Sequence, residues 1–210
     1  MRAHRLGAAI AAVILAAATV AASPPALAGA IDQLREFAKT TQSARGEFTQ
    51  QVIRPGGREE TSRGVFAFAR PGKFRWEVRA PFEQLIVTDG QRLYFYDADL
   101  RQVTVRDVGD AIAATPAAIL FGTADVDASF RLAELGTRDG IEWLEAVPRK
   151  PEAGFDRIAI GFRGGEPQAM EVRDAFGQTT RFGFSAIERN PRLDPELFRF
   201  TPPPGVDVVR

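Results

Sequence analysis

Residues 64–79 read Gly-Val-Phe-Ala-Phe-Ala-Arg-Pro-Gly-Lys-Phe-Arg-Trp-Glu-Val-Arg, two alternating runs on either side of an Arg-Pro-Gly-Lys turn. Side chains along a strand point to opposite faces in turn, so Phe66 and Phe68 share one face of the first run, and Phe74, Trp76 and Val78 share one face of the second. Period-two alternation across a Pro-Gly turn specifies an antiparallel hairpin with one apolar face. That face is rich in rings, and Arg70 stands at its edge beside the turn. A curved sheet whose apolar side holds something apolar is the expectation.

The first 28 residues do not belong to that fold. Arg2 and Arg5 make a basic start, Leu6 to Ala22 is an apolar run, and Ala26-Leu27-Ala28 after Ser23-Pro24-Pro25 is an A-x-A cleavage site. This is the layout of a secretory signal peptide, which leaves Gly29 as the new N-terminus and residues 29–210 as one domain. The alternative is an uncleaved anchor, because the run approaches spanning length. No later stretch is long and apolar enough to span a bilayer, which predicts a soluble exported protein.

Two absences narrow the chemistry. The chain has no cysteine, and its one histidine, His4, lies in the leader. A mature protein without either excludes Ser-His-Asp and Cys-His nucleophiles, the common zinc sites, disulfides, and lipid attachment to the protein's own N-terminal cysteine. No catalytic residue, cofactor or metal ligand is expected. Without Arg2 and Arg5, 25 basic residues face 27 acidic ones, a net charge of −2 that does not suit nucleic acid. All 16 phenylalanines fall after the leader, where they outnumber the leucines. Phenylalanine also suits strands in general.

Along the mature chain, residues 31–44 predict a helix, since Ile31, Leu34, Phe37 and Ala38 recur at helical spacing. From Gly46 the period becomes two and six strands follow as a meander, with turns at 55–57, 70–73, 89–90 and 97–100. Leu93 and Phe95 alternate within one of them. Residues 107–122 break the pattern with two short helical pieces, the second opened by Thr115 as N-cap and Pro116 at the first helical position. With Ile112, Ile119 and Leu120 among small alanines, this insertion reads either as a lid over a barrel mouth or as a crossover helix packed on the sheet. Strands resume at 128–134, 141–147, 155–162, 169–173 and 179–186, in which Ile158, Ile160 and Phe162, then Met170 and Val172, then Phe182 and Phe184 point inward. A short final strand pair stopped by prolines completes about eleven strands.

Asp97 with Asp99, and Glu59 with Glu60, are the acid pairs to weigh for hydrolysis, which needs two carboxylates about 5–10 Å apart across a cleft. Asp97 and Asp99 sit in a turn, where Asp bonds its own backbone, and Glu59 and Glu60 flank a loop. Asp174 also reads as a turn acid. Arg70 is either a solvated surface charge or, by its rigid fork of donors, a latch on the carbonyls at a helix C-terminus.

Phe48-Thr-Gln, Gly64-x-Phe-x-Phe-x-Arg-Pro-x-x-Phe-x-Trp, Ile86-Val-Thr-Asp-Gly, Leu93-x-Phe-Tyr-Asp, Thr115-Pro and Phe198-x-Phe-Thr-Pro-Pro-x-Gly-Val occur in that order. In them the chain resembles the LolA family of periplasmic lipoprotein carriers. The resemblance implies a mainly β fold, an unclosed antiparallel barrel with an N-terminal helix and short lid helices over an apolar cavity. It implies acylated lipoproteins as cargo, an inner-membrane ABC transporter of the LolCDE type as donor, and the outer-membrane receptor LolB as acceptor. It further implies a periplasmic monomer in which Arg70 bonds to the lid in the closed state and Phe74 is linked with cavity and transporter contacts. The cavity would be lined by Phe66, Phe68, Phe74, Trp76, Val78, Leu93, Phe95, Ile158, Ile160, Phe162, Met170, Phe182 and Phe184, under a lid built from Ile112, Thr115, Pro116, Ile119 and Leu120. Three rivals compete. One is a sensor of the same fold for misplaced lipoproteins or unfolded outer-membrane proteins that regulates a protease. A LolB-like receptor would need a lipidated cysteine, and an enzyme acting on lipids or glycans would need the missing nucleophiles.

Overall fold

The computed structural model describes residues 29–107, 118–121, 126–149 and 155–209. Eleven strands follow one another as β1 Ser43–Ile53, β2 Glu59–Ala69, β3 Lys73–Ala80, β4 Gln84–Thr88, β5 Arg92–Asp97, β6 Gln102–Asp107, β7 Phe130–Arg138, β8 Ile141–Pro148, β9 Arg157–Arg163, β10 Glu166–Arg173 and β11 Thr179–Arg189, and a twelfth, β12, spans Asp207–Val209. Helix α1 covers Ala30–Thr40, and two short helices, α2 (Ala118–Phe121) and α3 (Val126–Ser129), lie between β6 and β7. All strands form one sheet in the order β12-β6-β5-β4-β3-β2-β1-β11-β10-β9-β8-β7, so its edges, β12 and β7, do not meet and the sheet is unclosed.

The expected architecture is present, with four corrections. The twelve strands agree with the expected count of about eleven, but the tail forms no strand pair. A 3₁₀ turn at Pro195–Phe198, capped by the Asp194 carboxylate on the Glu196 N–H, leads through extended prolines to the single strand β12, which pairs with β6 in parallel. Residues 126–129 are helical, so β7 begins at Phe130. Helix α1 stops at Thr40 because β1 claims Ser43 onward. Strand β10 starts at Glu166 and accommodates Pro167 at a shift of register against β9.

Helix α1 buries Ala30, Gln33, Leu34, Phe37 and Ala38, one stripe of a 3.6-residue period. It lies over β7 to β10. Its first free N–H groups are satisfied from the sheet, since the Glu134 carboxylate accepts from Ala30 N (3.1 Å) and Ile31 N (2.9 Å). Arg35 grips Asp127 of α3 through two bonds of 3.0 and 2.8 Å, and Gln33 accepts from the Gly165 N–H at 2.8 Å. The Phe37 ring meets Phe68 and Phe162 edge-on at 6.5 and 6.3 Å, closing the helix onto both halves of the sheet. Burying a side chain of that size contributes about 1.5–3 kcal/mol.

Burial changes face along the sheet. On β8 to β10 the residues facing α1 are buried, namely Leu144, Ala146, Ile158, Ile160, Phe162, Met170 and Val172. On β4 to β6 the opposite face is buried, at Leu85, Val87 and Val103, while on the α1 side Thr88 is closed but Ile86, Leu93 and Phe95 remain partly open. The tail explains the inversion. Phe198 is buried, Phe200 lies 5.7 and 5.6 Å from the Tyr94 and Tyr96 rings, and the Leu197 carbonyl accepts from Arg75. The C-terminal segment therefore covers the back of the half whose front is left open.

Candidate functional site

Strand register brings the front residues of β1 to β6 into three rows. One runs Ala44, Phe68, Phe74, Thr88, Leu93, Arg106, and the next runs Gly46, Phe66, Trp76, Ile86, Phe95, Thr104. The third runs Phe48, Gly64, Val78, Gln84, Asp97, Gln102. The pairing of β1 with β11 and β10 continues the same face through Phe184, Phe182 and Met170, and that of β10 with β9 through Ile160. All thirteen residues expected to line the cavity thus share one face of the sheet.

They do not share one environment. Phe68, Ile158, Ile160, Phe162 and Met170 are fully buried, and Phe66, Trp76, Val78 and Phe184 nearly so. Phe74, Phe182 and Leu93 are half-buried, and Phe95 is 38% exposed. Trp76 is the hub. It stacks on Phe48 at 3.6 Å between ring centroids and on Phe74 at 6.1 Å, and it meets Phe182 edge-on at 5.6 Å. Two glycines make room for the rings. A Cβ on Gly46 would lie 2.8 Å from the Phe66 ring, and one on Gly64 2.7 Å from the Phe48 ring and 2.0 Å from the Glu77 carbonyl oxygen.

Beyond the rings the front opens into a hollow of about 280 Å³ lined by Ile86, Leu93, Phe95, Thr104 and Arg106. A larger hollow of about 600 Å³ lies on the back of the sheet among Arg45, Glu47, Arg75, Glu77 and Arg79. Its lining mixes these charged groups with Val65, Ala67, Leu193 and Leu197. There burial alone would raise the Glu77 carboxyl, but hydrogen bonds from Arg79 and Arg75 outweigh burial and hold it below the ordinary carboxylate value.

Arg70 follows the last residue of β2 and reaches across the end of the sheet. Its Nε donates to the Thr41 carbonyl at 2.9 Å, just past the C-terminus of α1, and its Nη2 donates to the Leu120 carbonyl in α2 at 2.9 Å. The guanidinium lies over the Phe68 ring, 5.2 Å from its centroid, and the Arg70 backbone N–H is bonded to the Gln42 carbonyl. Burial lowers its pKa from the ordinary arginine value, yet arginine remains charged in proteins. Ile119 and Leu120 of α2 are buried. Ile112, Thr115 and Pro116 lie outside the described residues.

Four of the acids weighed for hydrolysis, Asp97, Asp174, Glu59 and Glu60, are engaged locally. Asp97 accepts from the Leu100 N–H and from Gln84, and Asp174 from the Phe176 and Gln178 N–H groups. Glu59 accepts from Gln51, and Glu60 from Arg54. The ring of Phe48, the side chains of Ile86, Thr104 and Arg106, and the carbonyl of Thr41 were not among the expected site residues. Phe48 and Ile86 could have been found by carrying the phase of the central hairpin into its neighbours, whereas the Thr41 carbonyl leaves no trace in a sequence.

Residues 39–201 match the family described as outer membrane lipoprotein carrier protein LolA. The chain belongs to the LolA family. An outer-membrane lipoprotein carrier protein of Cupriavidus pinatubonensis (strain JMP 134 / LMG 1197) is 50% identical over 191 residues, which span 89% of this chain and 90% of that one. One of Bordetella avium (strain 197N) is 50% identical over 200 residues, covering 93% and 96%. Among solved structures, an uncharacterized conserved protein from Thermus thermophilus superposes with a TM-score of 0.52 at 14% identity, covering 86% of this chain and 96% of that one. At that identity the likeness concerns the LolA-like fold alone.

Proposed function

We propose that this LolA-family chain is a periplasmic chaperone that shelters the acyl chains of lipoproteins between the inner and outer membranes. The observation that carries the reading is the asymmetric front face. One half is sealed by α1, the other is apolar and open beside Trp76, and Arg70 ties the sealing helix to α2 at the boundary. An acyl chain gains roughly 0.8 kcal/mol per CH₂ removed from water, so several chains expose tens of kcal/mol. A carrier must cover that surface and still release it. In this reading the segment containing α2 is a lid and Arg70 is its latch. Cargo entry separates α2 from Arg70, and remaking the bonds to Thr41 and Leu120 offsets part of the cost of letting go, a shift between two states with different contacts.

The chain acts as a monomer and takes cargo from a LolCDE-type transporter, where ATP is spent, to a LolB-type receptor. No covalent bond is made or broken in the transfer, so the chain needs no catalytic group, cofactor or nucleic acid. Residues 1–28 export it. The test is depletion of the protein in its host, together with capture of the tagged protein from periplasm and mass spectrometry of what comes with it. Triacylated lipoproteins on the captured protein and mislocalised at the inner membrane are expected. Capture without acylated protein would remove the proposal.

A further inference from the structure

The three most exposed large hydrophobic side chains of the described residues are Phe176 (89%), Leu100 (71%) and Phe82 (57%). Strand direction places all three at one rim of the sheet, in the β10–β11, β5–β6 and β3–β4 connections. Side-chain and backbone contacts join these turns to their neighbours. The Ala98 N–H donates to the Glu83 carbonyl, linking the Leu100 and Phe82 turns, and a Cβ on Gly177 would lie 3.9 Å from Pro55 in the β1–β2 turn. The opposite rim is different in kind. Among the described residues its tight turns carry Gly72, Asp89, Gly90, Asp139, Gly140, Gly164 and Gly165, and no large apolar side chain.

Two of the apolar tips are built rigidly. The Asp174 carboxylate accepts from the N–H of Phe176 itself, at 2.9 Å, and Asp97 accepts from the N–H of Leu100 at 3.0 Å. Isolated exposed hydrophobics are ordinary on a protein surface. Three along one rim, with none in the described tight turns of the other, set the two rims apart in character.

We infer that this rim is a membrane-contacting edge, which seats Phe82, Leu100 and Phe176 in the interface of a phospholipid bilayer. Adjacent strand connections are about 10 Å apart, two strand spacings, with polar residues between them. A protein partner buries a contiguous apolar core, whereas a fluid bilayer admits separate side chains one by one. Arg54, Arg58, Arg79 and Arg101 stand beside Glu59, Glu60, Glu83 and Asp99 along the rim, so attraction is apolar and weakly dependent on salt and on lipid charge. The inference rests on the carrier reading for its purpose, which is to hold the molecule against the bilayer while acyl chains change hands.

The test uses the exported, leader-free protein with vesicles of phosphatidylcholine and phosphatidylethanolamine. Each tip should contribute about fivefold to tenfold in vesicle partitioning. The triple variant F82S/L100S/F176S should therefore lose about a hundredfold to a thousandfold while still loading acylated lipoprotein. A single Phe176→Trp variant should be quenched by brominated acyl chains. Phe74→Glu should keep vesicle binding and lose cargo. Equal partitioning of the triple variant and the wild type, absence of quenching at position 176, or tip-dependent self-association without vesicle binding would overturn the inference. Failure of the wild-type protein to load lipoprotein would instead overturn the carrier reading and leave the vesicle result standing.

Discussion

Replacing Arg70 by leucine isolates the latch. Leucine keeps an aliphatic body over the Phe68 ring but donates nothing, so the Thr41 and Leu120 carbonyls both lose a charged partner 2.9 Å away. A hydrogen bond to a charged group is worth about 1.5–3 kcal/mol, and the half-buried position of Arg70 argues for the low end of each. About 3 kcal/mol for the pair corresponds to roughly two powers of ten in the equilibrium between joined and separated helices. That shift favours the separated state, which in the proposed mechanism is the one that accepts cargo. Loading should therefore survive in Arg70→Leu, and transfer to receptor-bearing vesicles should slow by at least tenfold, because release no longer regains the bonds. Amide exchange should accelerate about a hundredfold in residues 118–121 and stay unchanged in the core of β1 to β3. A lysine at the same position reaches one carbonyl but not both and should fall between. Transfer at the wild-type rate, with unchanged exchange in 118–121, would refute the reasoning.

Phe74→Glu places a carboxylate on the open ring face, where the Phe74 ring now stacks 6.1 Å from Trp76, and loading of acylated lipoprotein in a pull-down should drop more than tenfold while the far-ultraviolet circular dichroism stays that of wild type. Gly64→Ala forces a methyl to within 2.0 Å of the Glu77 carbonyl and against the Phe48 ring; the urea midpoint should fall by the equivalent of about 3 kcal/mol. The Glu77 carboxyl is held below its ordinary value in the folded chain. Its contribution is thus fully present above that ordinary value and is lost as pH falls through the lower, folded one. Glu77→Gln should accordingly be less stable than wild type at neutral pH in urea unfolding, and the two curves should converge in acid.

The central hairpin was legible because its rings, its alternation and its turn agree. Phe66 does pair with Trp76, and Phe68 with Phe74. The same agreement across Asp89-Gly90 and Asp97 to Leu100 made the β3 to β6 meander readable, whereas the unclosed edge of the sheet was implied by the family resemblance alone. What failed was wherever tertiary context decides. Val126 to Ser129 has no strong local preference, and it is helical where Arg35 and Asp127 meet. The tail proline run excluded a central strand but said nothing of β12 pairing in parallel with β6. Leu93 and Leu85 look alike in the sequence, and only the packing of Phe198 and Phe200 on the back decides that one is half open and the other closed. Ile112, Thr115 and Pro116 fall within 108–117, outside the described residues.

The tail laid across the back of β3 to β6 changes what the open front has to do. A container whose walls depend on their contents collapses when it is emptied, and a stable β-sheet usually needs its greasy side filled. Here the anchoring is exterior, through Leu85, Val87, Val103 and Phe198, like a buttress outside a nave. The front positions Ile86, Leu93 and Phe95 are thereby released from structural duty, and if they hold the passenger as proposed, evolution or an engineer can recut them without bringing down the roof.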